Sequence, residues 1–238
     1  MGRGPSIEGR KSAEDARRGK LFTKLIREIT VAARSGGADP ATNPRLRTGI
    51  DKALAANMTK DTIEHALKRA AGADTDKMEE IRYEGYGPSG VALIIDCMTD
   101  NAQRTVSDVR HALGKHGGNL GTSGSVAFQF KHVGEFMVDT SKPGSEDQLL
   151  EAALDAGADD VQSEDGESLV LTSPESFETV KKALVAAGLS PSKADVTWRP
   201  GNRVVVNAEV AETLRDLLDW LDELDDVQEV YHNAELAA

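Results

Sequence analysis

The fold is indicated most clearly by residues 133–201, which read VGEFMVDTSKPGSEDQLLEAALDAGADDVQSEDGESLVLTSPESFETVKKALVAAGLSPSKADVTWRPG. In this segment the apolar–polar alternation typical of strands repeatedly gives way to the 3.6-residue period typical of helices. In chain order the pattern predicts strand 135–140, helix 145–156, strands 160–163 and 168–172, helix 174–187 with Ser173 as its N-cap, and strand 195–199. This β-α-β-β-α-β order is the split βαβ, or ferredoxin-like, pattern.

The chain on either side of this segment repeats the same order. The pattern predicts strands 91–98 and 125–131 around helix 101–115, and later strands 203–207 and 227–232 around helix 209–224. A further strand is predicted at 81–86. We therefore predict an α+β fold in which one ferredoxin-like α/β domain is inserted in another, preceded by an N-terminal three-helix domain.

The N-terminal domain is predicted from helical periods and capping residues. Residues 12–34 have an apolar arc made of Leu21, Phe22, Leu25, Ile26 and Ile29. A separate arc, called the basic stripe below, consists of Arg17, Lys20, Lys24, Arg27 and Arg34.

Two shorter helices follow the first one. Asn43 and Pro44 predict the N-cap and first residue of a helix that extends to about residue 56. Thr59 predicts the start of a third helix, which Gly72 ends. Polar residues 73–80 predict a linker. The predicted domains are residues 1–76, residues 80–132 with 202–238, and residues 133–201.

Charge is divided unequally along the chain. Residues 1–72 contain 15 Lys and Arg against 8 Asp and Glu, a charge of +7, whereas residues 73–238 contain 13 against 32, a charge of −19. A basic segment in a chain of net charge −12 indicates an anionic partner, most simply nucleic acid. The alternative is that the oppositely charged parts attract each other or keep the protein in solution.

The composition limits the remaining classes of protein. The 238 residues are 39% hydrophobic, enough for buried cores, and the apolar runs are far shorter than a membrane-spanning helix. A single cysteine, Cys97, excludes an intramolecular disulfide framework and a cysteine-based zinc finger. The N-terminus has no apolar core of a secretory signal, so we expect a cytoplasmic protein with no membrane partner.

No enzymatic constellation emerges from the residues. GYGPSG at 85–90 matches the spacing of a dinucleotide fingerprint, but a strand follows it where a helix is required, so we interpret it as a loop between strands. The histidines lack metal-ligand spacing, and Cys97 is interpreted as a packed thiol. We predict no catalytic residue, no cofactor and no metal. We interpret the acidic residues near the C-terminus as the solvated face of a helix; they are Asp216, Asp219, Asp222, Glu223, Asp225 and Asp226.

One glycine-rich loop has two interpretations. Lys115 and His116 lead into GGNLGTSG at residues 117–124. Backbone amides in such loops hold anions, and nearby cations would strengthen that binding. The alternative is a helix C-terminal stop followed by a tight loop, with cations placed at the negative end of the helix dipole.

Several motifs resemble those of the YebC family. Residues 18–34 read RGKLFTKLIREITVAAR, and NPRLR at 43–47 and DKALAANM at 51–58 follow. YEGYGPSG at 83–90 and KHGGNLGTSGSVAF at 115–128 extend the similarity over most of residues 11–130. The acidic remainder of the chain is more loosely similar.

This resemblance implies an N-terminal helical domain and two α/β domains, one carried within the other. It also implies a non-enzymatic role, because family members are described as DNA-binding transcriptional regulators and others resemble translation factors that act at the ribosome. Carried over to the matched positions, the candidate nucleic-acid contacts are Arg18, Lys20, Lys24, Arg27, Arg34, Arg45, Arg47 and Lys52, with Lys115, His116 and Asn119 as a second group. Arg17 joins the first group through its place in the basic stripe.

Two mechanisms remain open from the sequence. A DNA-binding regulator would place a helix in the major groove, and the third helix offers Lys60, Asp61, Glu64, His65, Lys68 and Arg69 for this. A factor bound to RNA or the ribosome needs only a basic surface that follows phosphates, with shape supplying specificity. The alternative class is an enzyme or a protein-interaction module with no nucleic-acid role.

Overall fold

The computed structural model describes residues 7–72 and 77–237, with side chains from residue 13 onward. Part of the predicted linker, residues 73–76, lies outside these ranges. The chain divides into two compact units, the first formed by Met1–Ser125 with Val205–Ala238 and the second by Val126–Val204.

The helices and strands alternate after an all-helical start. In chain order they are α1 (Ile7–Gly36), α2 (Pro44–Ala55), α3 (Lys60–Ala71), β1 (Glu79–Tyr86), β2 (Ala92–Thr99), α4 (Ala102–Lys115), β3 (Asn119–Leu120), β4 (Phe130–Asp139), α5 (Ser145–Asp155), β5 (Asp160–Glu164), β6 (Glu167–Thr172), α6 (Phe177–Ala186), β7 (Lys193–Pro200), β8 (Val204–Val206), α7 (Ala208–Glu223), β9 (Val227–His232) and β10 (Ala234–Leu236). Short 3₁₀ turns occupy Pro88–Gly90 and Ala127–Gln129.

The first unit begins with three helices that share a hydrophobic cluster. The side chain of Asn43 accepts a hydrogen bond from the Leu46 amide, and that of Thr59 accepts one from the Thr62 amide, so both predicted N-caps are confirmed. The buried members of the cluster are Ile29, Ala32, Ala33, Leu46, Ala53, Met58, Ile63 and Ala66. Phe22, Leu25 and Ile26 pack against this cluster, so the apolar arc of α1 contacts α2 and α3 as predicted, except at Leu21, which is 48% exposed.

A four-stranded antiparallel sheet completes the first unit, in the order β3-β1-β2-β9. Val91 and the following four residues are fully buried along β2, so this strand forms the centre of the unit's core. Helices α4 and α7 contact the sheet and contribute buried leucines, among them Leu113, Leu217 and Leu221.

Two strands predicted for this unit are placed differently. Residues 203–207 were expected in the sheet, but β8 pairs only with β10, a strand that the sequence pattern did not predict. The predicted strand 81–86 is present as β1 and occupies the sheet instead. β1 pairs with β2 over eight residues, whereas β8 has only three residues and buries only Val206.

The predicted strand at 125–131 is also wrong. Its residues 127–129 form a 3₁₀ turn, and Phe130 begins β4, which continues to Asp139 and so includes all but the last residue of the predicted strand 135–140. Gly134 does not interrupt β4. A Cβ atom there would lie 2.3 Å from Thr172 Oγ1 and 2.8 Å from the Phe177 ring, so glycine permits close packing inside the strand.

The second unit has the predicted ferredoxin-like order. Its antiparallel sheet runs β5-β6-β4-β7, and α5 and α6 pack against the same face. The rings of Phe136 and Phe177 stack in the core with centroids 4.8 Å apart. The predicted α+β fold class is confirmed. Across the described part of the chain, no helix is both long and apolar enough to cross a membrane.

Two adjacent leucines of α5 test how the second unit is held together. Leu149 is fully buried in the core, whereas Leu150 is 43% exposed. We expect Leu149→Ala to lower the free energy of unfolding by about 2–5 kcal/mol, because it leaves a cavity. Leu150→Ala, the matched control, should change it by less than about 0.5 kcal/mol. Urea denaturation measures both, and equal effects would contradict the placement of this core.

Candidate nucleic-acid interface

Two lysines of the basic stripe contact the acidic end of α7. Lys20 Nζ donates to the Glu223 carboxylate and to the Glu223 carbonyl at 2.9 Å. Lys24 Nζ donates to Asp222 Oδ1 at 2.8 Å and to the Asp222 carbonyl at 2.7 Å. These carbonyls lie in the last turn of α7, where the helix has no further amide to bind them. Each lysine therefore binds a carboxylate and the negative end of the helix together.

Arg27 makes a deeper contact in the same region. Its Nη1 donates to Asp226 Oδ1 at 3.0 Å, to the Asp225 carbonyl at 2.8 Å and to the Met98 carbonyl at 3.0 Å. Only 8% of the Asp226 side chain is exposed, against 83% for Asp222 and 63% for Glu223. We call the whole arrangement the charge clamp; it comprises Lys20, Lys24 and Arg27 on α1 with Asp222, Glu223 and Asp226.

Asp226 is the most highly connected member of the charge clamp. Besides Arg27, it binds the Thr105 hydroxyl at 2.9 Å and the Arg104 guanidinium at 3.0 Å. Burial by itself would raise the pKa of Asp226, but the hydrogen bonds from Thr105, Arg27 and Arg104 outweigh that effect and leave the pKa below its usual value. The carboxylate is therefore held ionised between two cations.

The charge clamp corrects one interpretation of the sequence. The acidic residues at 216–226 were expected to form a solvated helix face, and this is wrong for Asp226, which is buried and lies beyond the end of α7. Asp222 and Glu223 are exposed as expected, but they are paired with lysines of α1. Asp216 and Asp219 are exposed. The physical reason is that carboxylates near the end of α7 meet cations from a helix about 200 residues earlier, a contact that no local period reveals.

The other predicted cations of the helical segment differ in their surroundings. Arg17, Arg34 and Lys52 are exposed, and Arg18 forms an exposed ion pair with Asp15 at 3.3 Å. Arg45 is bound by Glu28 at 2.8 Å and by Glu80 at 2.5 Å.

Arg47, another predicted cation of this segment, contacts the backbone. Its Nη1 donates to the Pro40 carbonyl at 2.9 Å. Arg47 therefore supports the turn between α1 and α2.

Helix α3 adds exposed cations that were weighed for DNA but not included among the predicted contacts. Lys60, Lys68 and Arg69 are all exposed and lie off the face that buries Ile63 and Ala66. The signal that could have found them is their position off the apolar face of α3. Together with Arg17, Arg34 and Lys52, they form the exposed cation set of the helical segment.

The glycine-rich loop begins as a helix stop. Gly117 has φ of 73°, in the left-handed region, and the Gly118 amide donates to the Leu113 carbonyl at 2.9 Å. This is the Schellman geometry that ends helices. At Gly118 a Cβ atom would lie 2.1 Å from the Tyr86 carbonyl oxygen, so only glycine allows the loop to cross β1 this closely.

The same loop already holds an internal anion. Glu84 on β1 is 4% exposed, and its carboxylate accepts a hydrogen bond from the Gly124 amide. The Glu84 carbonyl accepts the Gly121 amide at 2.8 Å. Of the predicted second group, Lys115 and Asn119 are exposed, while His116 packs edge-on against Trp220 with ring centroids 5.4 Å apart.

Groups that could carry other chemistry are few in the described residues. Cys97 is buried, and this burial raises its pKa to about 12, so the thiolate that a nucleophile requires is not formed near neutral pH. Residues 85 and 86 end β1, and residues 87–90 form the loop between β1 and β2 that the sequence predicted. No three His, Cys, Asp or Glu side chains come together as a metal-binding group where the structure describes them.

Comparison with known proteins shows the family of this chain. Residues 4–73 match the TACO1/YebC protein N-terminal domain, and residues 78–234 match the TACO1/YebC second and third domain. The chain belongs to the TACO1/YebC family. The resemblance seen in the motifs is thereby confirmed, and it extends through the acidic part of the chain.

Relatives and a solved structure agree with this assignment. A probable transcriptional regulatory protein of Xanthomonas oryzae pv. oryzae is 58% identical over 241 residues, which span 100% of this chain and 99% of the relative. Another of Methylococcus capsulatus is 59% identical over 98% of this chain and 94% of the relative. The crystal structure of a conserved hypothetical protein from Aquifex aeolicus matches with a TM-score of 0.80 and 47% identity, covering 94% of this chain and 93% of that one.

The buried carboxylate of the charge clamp yields a stability prediction. We expect Asp226→Ala to lower the free energy of unfolding by about 2–5 kcal/mol at neutral pH, because Arg27 and Arg104 lose their shared partner. Because the folded pKa of Asp226 is depressed, its stabilisation is complete above about pH 4 and is lost as the pH falls through the folded pKa. Urea unfolding of the wild type and of Asp226→Ala should therefore show a difference in unfolding free energy that decreases in acid.

The neighbouring exposed residue provides the control for that measurement. Asp225→Ala removes a carboxylate but leaves the backbone carbonyl that Arg27 binds. It should change the unfolding free energy by less than about 0.5 kcal/mol. If Asp225→Ala were as damaging as Asp226→Ala, the deep contact would not be the stabilising one.

Two glycines of this region should respond to alanine with opposite signs. Gly118→Ala should destabilise the protein by about 1–3 kcal/mol, because its Cβ meets the Tyr86 carbonyl. Gly114, inside α4, has no atom within 4 Å of a built Cβ. Gly114→Ala should therefore stabilise by up to about 1 kcal/mol through helix propensity. Thermal or urea unfolding of both variants measures these opposite changes in stability. If the loop were flexible, Gly118→Ala would not destabilise the protein.

Proposed function

We propose that this protein is a non-enzymatic regulator of gene expression that binds nucleic acid through the exposed cation set of its helical segment. The observation that carries the proposal is the segregation of charge, +7 in residues 1–72 against −19 in the remainder. Phosphates are attracted to residues 1–72 and repelled by the acidic remainder, so the electrostatic field favours an approach of nucleic acid to the helical segment. The names of the relatives, probable transcriptional regulatory proteins, agree with a regulatory role.

Structured RNA is the nucleic acid that this surface fits best. The helical segment has one aromatic residue, Phe22, and it packs against the hydrophobic cluster. Bases therefore find no exposed Phe, Tyr or Trp ring for stacking in the described part of this segment. Binding through phosphates alone gives little sequence readout, which suits an RNA recognised by its shape, as at the ribosome.

Sequence-specific DNA is the second candidate, and the printed names of the relatives favour it. Helix α3 would be the element to enter a major groove. Its exposed residues include Asp61 and Glu64 beside Lys60 and Lys68, and these carboxylates would approach the phosphates unfavourably. The two candidates make different predictions about competitors and salt.

A paired substitution in α3 tests the proposed surface. We expect Lys68→Gln with Arg69→Gln to weaken binding of a labelled RNA hairpin and to reduce the slope of log K against log salt by about 2, one unit for each lost phosphate contact. Fluorescence anisotropy over a salt series measures this. The control is Lys182→Gln with Arg215→Gln, which removes the same charge from exposed sites on the acidic part of the chain. Equal slopes for the two variants would reject the surface.

A second measurement separates RNA from DNA. Cosedimentation with ribosomes in a lysate gradient, abolished by the α3 substitution and by nuclease, is the result expected for an RNA-bound factor. A preference for one duplex DNA over scrambled competitor by about 10³-fold or more would instead establish specific DNA binding.

A further inference from the structure

In the charge clamp, the protein's own carboxylates bind lysines that the sequence predicted to contact phosphates. We infer that Asp222 and Glu223 are intramolecular competitors of nucleic acid for Lys20 and Lys24, and that binding exchanges these two carboxylates for phosphates while the Arg27–Asp226 contact stays closed. This inference rests on the proposed function and adds Lys20 and Lys24, which neighbour Arg17 of the exposed cation set on α1, to the proposed surface.

The positions of the lysines support this competition. Arg17, Lys20 and Lys24 follow one another at intervals of three and four residues, so they lie on one face of α1. Arg17 is exposed, whereas the side chains of Lys20 and Lys24 are 34% and 11% exposed beneath their carboxylate partners. A phosphate backbone held at Arg17 thus lies one helical turn from a cation that is already neutralised.

The charge clamp contains an outer and an inner part that differ in burial. Asp222 and Glu223, the outer carboxylates, are mostly exposed, and exposed ion pairs are weak and are screened by salt. Asp226, the inner carboxylate, is buried and bound by Arg27, Arg104 and Thr105. Breaking a buried pair leaves a charge without compensation, so the inner contact resists displacement.

The outer contacts give each lysine oxygen acceptors of the kind that a phosphate has. Each lysine ammonium binds a carboxylate oxygen and a carbonyl oxygen at the C-terminus of α7, where the helix dipole concentrates negative charge. Phosphate oxygens satisfy the same ammonium donors equally well. Exchange of partner therefore leaves neither lysine without an acceptor, while the freed carboxylates are exposed enough to be hydrated.

The test neutralises the competitors without touching the lysines. Asp222→Asn with Glu223→Gln should tighten binding of a fluorescein-labelled RNA hairpin of about 20 base pairs. The expected gain is about 2- to 30-fold, the range set by two exposed ion pairs. The control is Asp216→Asn with Asp219→Asn, which changes the net charge equally at exposed positions of the same helix. Circular dichroism checks that all variants are folded.

A double-mutant cycle identifies the cations that are released. Lys20→Gln with Lys24→Gln is combined with the neutralised carboxylates, and the gain in affinity should disappear in this background. Reversal of Arg27 is avoided, because Arg27→Glu would place two carboxylates together in the buried part of the charge clamp.

The outcomes separate this inference from the proposed function. A gain specific to the Asp222/Glu223 pair and dependent on both lysines supports competition. If the wild type binds and the Asp222/Glu223 variant matches its control, or if the gain persists without the lysines, the competition is rejected while the proposed function stands. If neither the wild type nor the neutralised variant binds the RNA hairpin or a DNA duplex of the same sequence, the proposed function fails and the competition fails with it.

Discussion

The carboxylate of Asp226 connects more separate parts of the first unit than any other charged group described above. It lies in the turn between α7 and β9 and binds α1 through Arg27 and α4 through Arg104 and Thr105. Its backbone carbonyl also accepts the Met98 amide of β2 at 2.8 Å. A buried carboxylate is costly unless cations and hydrogen-bond donors surround it. The need to pair Asp226 therefore holds α1, α4, β2 and the turn after α7 together.

Two places in this protein hold internal anions where an external anion was expected. The basic stripe meets Asp222, Glu223 and Asp226, and the glycine-rich loop donates an amide to Glu84. The protein therefore offers less free positive potential than its N-terminal composition indicates. Under the proposed function, internal partners of moderate strength would limit binding to ligands that present several phosphates in the right arrangement.

The elements predicted with a local physical signal agree well with the structure. Asn43 and Thr59 were identified as N-caps because their side chains satisfy amides two or three residues later, an interaction contained within one helical turn. The inserted β-α-β-β-α-β order followed from alternating periods of about two and 3.6 residues. Strand 125–131 failed because its apolar residues belong to a 3₁₀ turn and to the start of β4, which the period of a short run does not distinguish.

The sequence by itself determined the fold class, the N-caps of α2 and α3, the family and the separation of a basic segment from an acidic one, because each of these depends on neighbouring residues or on residue totals. The N-cap predicted at Ser173 was wrong, since α6 begins at Phe177 after Ser176. Only the tertiary structure decided that three cations of the basic stripe are paired with the end of α7. Lys20, Lys24 and Arg27 have the same residue types and spacing as a phosphate-binding stripe, yet their partners are about 200 residues away along the chain. Coulomb attraction depends on distance in space, and that distance is set by how α1 packs beside the end of α7 rather than by either segment alone.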